Sequence, residues 1–359
     1  MKIKNKILRI LSVVFVVLIL IPTLASCSSC AKKVDMNFTV PTRKLTNNEI
    51  LEYGYFTYQL FDDGTAVITG YNGSESNLTV PDNINGHTVV EIGYAAFMPS
   101  SEQSSQNKGT ARLSSVKLNE SLEKIGAYAF YGCQNLSTIT FENKLWSVGY
   151  DAFAETQWIK AQSDDFVTVG NGVLIKYQGK DSHVVIPDGI RHISAAFTNN
   201  ETLKSVVMPD TTLSVGTSAF SGCQFLVSVE FGKNIKLIDE YAFSSCYLLI
   251  SGNMPDSLEK IGENAFYNCY SMNALKLGKS LKLIGANAFE YCQSLKIIDM
   301  PTTLTVVEQY AFSNCLSLTM IFYGGTEEQF NTITYTGDSS SNFRLKDAIK
   351  IYGENSNEK

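Results

Sequence analysis

The chain has 359 residues, 44% of them hydrophobic and 18% charged, with a formal net charge of −6. That composition is enough for an elongated core. An acidic balance also excludes the clustered Lys and Arg with which nucleic-acid binders displace counterions. Length alone suggests two or three domains, but an internal repeat overrides that prior. Ala-Phe-x-x-Cys recurs with phenylalanines spaced by 23 residues at Phe220, Phe243, Phe266, Phe289 and Phe312, and thiols at Cys223, Cys246, Cys269, Cys292 and Cys315. A fixed period in the twenties marks a solenoid, which offers a long face rather than one cleft.

At the N-terminus, Lys2, Lys4, Lys6 and Arg9 precede an apolar run over 10–21. Roughly 12 residues cannot span a bilayer, which needs ~20, so residues 1–26 read as an export signal. That segment holds four bases and no acid, and its removal takes the net charge from −6 to −10. Leu24-Ala25-Ser26-Cys27 resembles the lipobox of bacterial lipoproteins. The resemblance implies cleavage before Cys27 and acylation of that residue, giving a membrane anchor of two or more lipid chains. The alternative is an ordinary signal peptide with an incidental cysteine. Cys27-Ser28-Ser29-Cys30 spells C-x-x-C, but a lipidated Cys27 has no thiol for metal or redox chemistry. His87, His183 and His192 share no ligand spacing with it, so no metal or cofactor is expected.

Next comes a polar tether over 27–50, followed by an N-terminal cap and first coil over 51–97, with a hairpin turned at Asp63-Gly64. Repeats fill 98–323, interrupted by a Ser-rich loop over 98–112 and an insert over 154–183. In the insert, Phe166 to Val169 and Val173 to Tyr177 alternate around Gly170-Asn171-Gly172 as a β-hairpin. A C-terminal cap occupies 324–359, with a helix capping box at Thr326 to Gln329 and a closing strand near 348–352.

Within one coil, Ile284, Ala288, Phe289, Cys292 and Leu295 follow helical spacing, which predicts a short helix or 3₁₀ turn. Leu295-x-x-Ile298-x-Met300 reads as a strand with Ile298 and Met300 inward. Pro301 ends it, and Leu304-x-x-Val307 leads back to the next coil. The closing aliphatic stands five residues before each phenylalanine, at Ile92, Ile125, Val148, Val215, Ile238, Ile261, Ile284 and Val307. His192 breaks that column, Leu213 lies one place out of register, and Gly252 is a weak strand member. About ten coils at ~4.8 Å each make a stack roughly 50 Å long.

The pattern L-x-x-[IV]-x-[LMF]-P-x-x-L-x-x-[IV]-G-x-x-A-F-x-x-C resembles the BspA-like leucine-rich repeats of bacterial surface proteins. Leu295 to Cys315 matches nearly throughout, with Glu308 in place of Gly, and the resemblance covers 53–352. It implies an α/β leucine-rich-repeat solenoid: a curved stack of coils with a parallel sheet on the concave face and helices or 3₁₀ turns on the convex one. For function it implies exported adhesins and other binding proteins with diverse partners and no shared catalytic residues.

An exported chain with eight cysteines invites a disulfide framework. Neighbouring coils, however, hold equivalent side chains ~4.8 Å apart and parallel, wider than the ~3.8 Å Cβ separation of a disulfide. A ladder of free, buried thiols fits better, and the column also accepts Thr156 and Asn200. Catalytic signatures (G-x-S-x-G, P-loop, H-E-x-x-H, GxGxxG) are missing from the sequence. Glu230 and Asp299 lie three coils apart, ~14 Å, beyond the ~5 to 9.5 Å range of glycosidase pairs.

The outward strand positions form the candidate binding face: Thr138, Thr140, Ser205, Val207, Ser228, Glu230, Ser251, Asn253, Ala274, Lys276, Ile297 and Asp299, followed by Met320 and Phe322. Ile297, Met320 and Phe322 are either a contact patch or surface covered by the C-terminal cap. The chain therefore reads as a non-enzymatic, lipid-anchored surface protein binding an extracellular protein or glycan. A structural spacer without a ligand is the alternative, and a surface hydrolase ranks below it.

Overall fold

The structure, a computed structural model, describes residues 38–39, 42–100, 109–142, 144–338 and 341–353. The export signal, Cys27 and most of the Ser-rich loop lie outside the described residues. Every coil contributes to two parallel sheets, where the sequence pattern indicated one. Sheet A is the expected strand row, broken into ladders of three, three and five strands, the last comprising Ser251–Asn253, Ala274–Lys276, Ile297–Met300, Met320–Tyr323 and Ile349–Tyr352. Sheet B is built from the closing aliphatics as two-residue strands. Its longer run is nine strands, from the hairpin Phe166–Val169/Val173–Tyr177 through Leu237–Ile238 and Leu283–Ile284 to Thr334–Tyr335. Two residues per strand leave no alternation to read, which is why the pattern concealed this sheet.

Of the expected helix or 3₁₀ turn, the Phe–Cys segments take the turn form: chains of turns closed by bonds three residues back. Around Phe243, the Tyr241, Phe243 and Ser245 N–H groups donate to Glu263, Ala265 and Tyr267 carbonyls of the next coil at 2.9, 2.7 and 2.7 Å. The alternate donors Ala242, Ser244 and Cys246 bond three residues back within their own coil at 3.3, 3.1 and 3.2 Å. A helix would keep all six inside the coil, whereas this alternation spends half of them joining coils. It requires left-handed backbone two residues either side of each phenylalanine: φ is 55° and 60° at Tyr241 and Ser245, 55° and 62° at Asn264 and Asn268, 58° and 57° at Tyr310 and Asn314. Asn tolerates that region best after Gly, and its recurrence at these sites was the available signal.

Inside, the rings stack. Phe220, Phe243, Phe266, Phe289 and Phe312 follow one another at 5.1 to 5.2 Å with interplanar angles of 1 to 9°. All five, and the five column cysteines, have no exposed surface. The thiols are free, and each donates to the carbonyl of the preceding coil's phenylalanine, Cys246 to Phe220 at 3.2 Å and Cys269 to Phe243 at 3.3 Å. That carbonyl already accepts its own coil's Cys N–H (Cys223 to Phe220, 3.1 Å), so the thiol fills its second lone pair. Burial pushes the thiols of Cys133, Cys223 and Cys315 up to about 12. The Cys246, Cys269 and Cys292 thiols lie well above their ordinary value for the same reason. Asn200 follows the insert and turns its Oδ1 to the Leu203 N–H instead, at 2.9 Å, while Thr156 caps the helix Gln157–Lys160.

The insert divides the interior. One buried cluster runs from Tyr58 to Val173 and a second from Leu174 to Ala348. The hairpin's second strand pairs with His192–Ile193, placing His192 beside Ser214 and Ile193 beside Val215. The aliphatic column is therefore intact at Ile193, because the turn that follows is one residue shorter, and His192 faces outward on sheet B. Gly252 fits its inward slot because Leu275 and Met254 fill the space: a Cβ there would meet Leu275 Cδ1 at 2.8 Å.

Both ends are capped. At the N-terminal end Phe56 and Tyr71 continue the ring column onto Phe97, with Tyr71 to Phe97 at 5.6 Å. At the far end the Thr326 capping box is formed and Ile349–Tyr352 pairs with Met320–Tyr323. With no further coil to receive the Phe312 N–H, buried Asn342 accepts it through Oδ1 at 3.0 Å and donates through Nδ2 to the Glu308 carbonyl at 3.0 Å.

Candidate binding face

Parallel strands in register align every outward residue with its neighbour, so sheet A carries two side-chain rows. Asn77, Ser115 and Thr138 stand in one row, with Thr79, Lys117 and Thr140 beside them. The next ladder aligns His183, Ser205 and Ser228 with Val185, Val207 and Glu230. The last aligns Ser251, Ala274, Ile297, Met320 and Ile349 with Asn253, Lys276, Asp299, Phe322 and Ile351. The sequence-predicted face is thus three contiguous patches. Between the second and third, the paired strands stop, and the Ile250 N–H donates to the Val227 carbonyl at 3.1 Å.

Polar groups on the first two patches hold each other: Ser115 Oγ donates to Asn77 Oδ1 at 2.7 Å, and His183 Nδ1 meets Ser205 Oγ at 2.7 Å. The third patch becomes apolar towards the C-terminus. Its closing strand lies beside Met320 and Phe322, edge to edge, and not over them. It extends the apolar surface with Ile349 and Ile351, 65% and 38% exposed, which sequence reading had assigned only to a cap. Asp299 is half-buried in this patch. Burial raises its carboxyl, and the Lys276 charge on the adjacent strand partly offsets the rise.

Glu230 and Asp299 remain three coils apart, separated by the Asn253 and Lys276 strands. No group of three or more His, Cys, Asp or Glu side chains among the described residues could hold a metal ion. The turn side carries tyrosines, with Tyr247 stacked on Tyr270 at 5.3 Å and Tyr267 edge-on to Tyr291 at 5.6 Å.

Two sheets per coil, stacked phenylalanine columns on either side of the insert and capped ends define a repeat protein of the leucine-rich class. Two stretches, residues 103–226 and 192–319, match the BspA type leucine rich repeat region in six copies. Together they span more than half of the 359 residues, and the chain belongs to this family. No curated protein matches it. Among solved structures, it is similar to a leucine rich cell surface protein from Faecalibacterium prausnitzii, at 21% identity over 81% of this chain and 99% of that one, TM-score 0.39. It is also similar to a leucine rich repeat protein of T. pallidum, at 22% identity over 80% and 97% of the two chains, TM-score 0.31. The pneumococcal vaccine antigen PcpA shares 15% identity over 82% and 97%, TM-score 0.41.

Proposed function

We propose that this protein is displayed at a bacterial surface by a lipid on Cys27 and binds an extracellular protein or glycan through the outward face of sheet A. The observation that carries the reading is the C-terminal patch: two aligned rows of outward side chains, one turning from Asn253 and Lys276 to Phe322 and Ile351, the other ending in Met320 and Ile349. An exposed apolar cluster rimmed by polar residues is the usual form of a contact surface. Rigid coils hold those side chains at fixed spacing, so little ordering entropy opposes association.

The test is capture from a panel of extracellular matrix proteins and bacterial surface glycans, using the wild-type chain and two multiple variants. One replaces Ser228, Glu230, Asn253 and Lys276 together, and the other replaces Phe322, Ile349 and Ile351 by Ser. Loss of a hot-spot residue costs upward of 1 kcal/mol, so a captured partner should weaken at least ~10-fold in the second variant. A chain that captures nothing from the panel is the outcome expected of a spacer. The anchor is read separately: Cys27→Ala should release the chain from membranes, and unchanged retention rejects the lipid.

A further inference from the structure

The segment ahead of the first coil, a polar tether in the sequence pattern, is docked where the structure describes it. Phe38 is 9% exposed on the outer side of sheet B, edge-on to Trp146 at 5.3 Å and to His192 at 5.0 Å. Leu213 and Leu237 complete the pocket, and Lys236 Nζ donates to the Phe38 carbonyl at 2.8 Å. The pocket explains two irregularities of the repeat. Leu213 is one place out of register because Thr212 takes the core slot, bonding the Ile190 carbonyl at 3.2 Å, and leaves Leu213 under Phe38. His192 occupies an outward position yet is buried, with Nδ1 on Ser214 Oγ at 2.8 Å. Burial holds its imidazole neutral, down at about 3. Downstream, Arg43 pairs with Glu123 at 2.7 Å and Asp63 at 2.6 Å, tying the same segment to the first coils.

We propose that Trp146, His192, Leu213 and Leu237 form a binding site for this chain's own segment around Phe38, and that the solenoid is held by this flank instead of by its first coil. Strand register is regular through the site; what departs from the repeat is residue type, with Thr212 in the core slot and Leu213 outside it, and the ligand is an aromatic residue whose carbonyl meets a lysine. Resting on the anchor reading, the site sets the leash. Phe38 lies eleven positions after Cys27, a reach of at most ~40 Å at ~3.5 Å per position. Release as far as residue 50 would roughly double that reach.

The dock is tested without a membrane, in the detergent-solubilised full chain. A Trp158→Phe background leaves Trp146 as the reporter, since the sequence holds two tryptophans. Docked, Trp146 emission is blue-shifted and weakly quenched by acrylamide; adding Phe38→Ser should shift it red and raise the quenching constant at least ~3-fold, whereas Phe38→Leu retains most of the protection. Unreactive column thiols report that each variant is folded. A folded Phe38→Ser chain with unchanged emission and quenching overturns the proposal. So does a water-exposed Trp146 emission before Phe38 is altered, a reading that holds even if the variant fails to fold. Membrane fractionation of Cys27→Ala reads the anchor independently, so either idea can fail alone.

Discussion

Raising the pH from 8 to 10 should sharply weaken this fold, and the thiol column is the reason. Six buried free cysteines, Cys133 and the five of the column, are described. In the folded chain burial lifts Cys133, Cys223 and Cys315 from 9.0 to about 12, and the three central thiols well above 9.0. The sign follows from which state keeps its protons. Above pH 9 the unfolded thiols ionise while the folded ones do not, so the unfolded chain binds fewer protons and stability falls as pH rises. The contribution is intact below about pH 9 and is lost progressively between 9 and 12. At pH 10 each unfolded thiol gains about 1.4 kcal/mol relative to pH 8, or roughly 8 kcal/mol over six. A domain is typically stable by ~5 to 15 kcal/mol, so the loss is of the same order as the whole. Urea midpoints in reductant at pH 8, 9 and 10 measure it. Changing Cys246, Cys269 and Cys292 together to Ala should lower stability at pH 8 but roughly halve the further loss at pH 10. Equal midpoints at pH 8 and 10, or an undiminished loss in the triple variant, would refute the argument.

Two further predictions concern packing and capping. Phe266→Ala removes a fully buried ring between neighbours at 5.1 Å on each side and should cost ~3 to 5 kcal/mol in denaturant titration. In double-mutant cycles Phe243 with Phe266 should couple, while Phe243 with Phe312 should add within ~0.5 kcal/mol. Asn342→Ala strands the buried Phe312 N–H and should cost ~1 to 3 kcal/mol, with hydrogen exchange accelerating first at Phe312 and its neighbours.

The repeat made the interior legible. Phenylalanine, cysteine and strand columns recur by type and spacing, and a stacked core admits no other arrangement of them. Backbone geometry was less legible. Helical spacing of Ile284, Ala288 and Cys292 described the buried face correctly but not the hydrogen bonds, because left-handed residues at Asn287 and Tyr291 reroute alternate N–H groups to the next coil. Two-residue strands such as Leu283–Ile284 carry no periodicity at all. His192 reads as a break in the column because its coil is one residue shorter, and Leu213 as a slip because its partner, Phe38, is distant in sequence. The candidate face was legible as a row of outward positions. Its extension through Ile349 and Ile351 was hidden, since a closing strand can lie beside a sheet or over it and only the pairing decides.

The division of the interior at Val173 and Leu174 confines injury. A lesion in the upper segment, such as a broken cap at Tyr71, need not propagate past the hairpin, because the lower column starts afresh from Tyr177 against Phe197 at 4.9 Å. Such a bulkhead preserves the half that carries the apolar face after the other has been lost. It also frees the lower half to gain or shed coils by duplication, without refitting the part nearest the N-terminal cap.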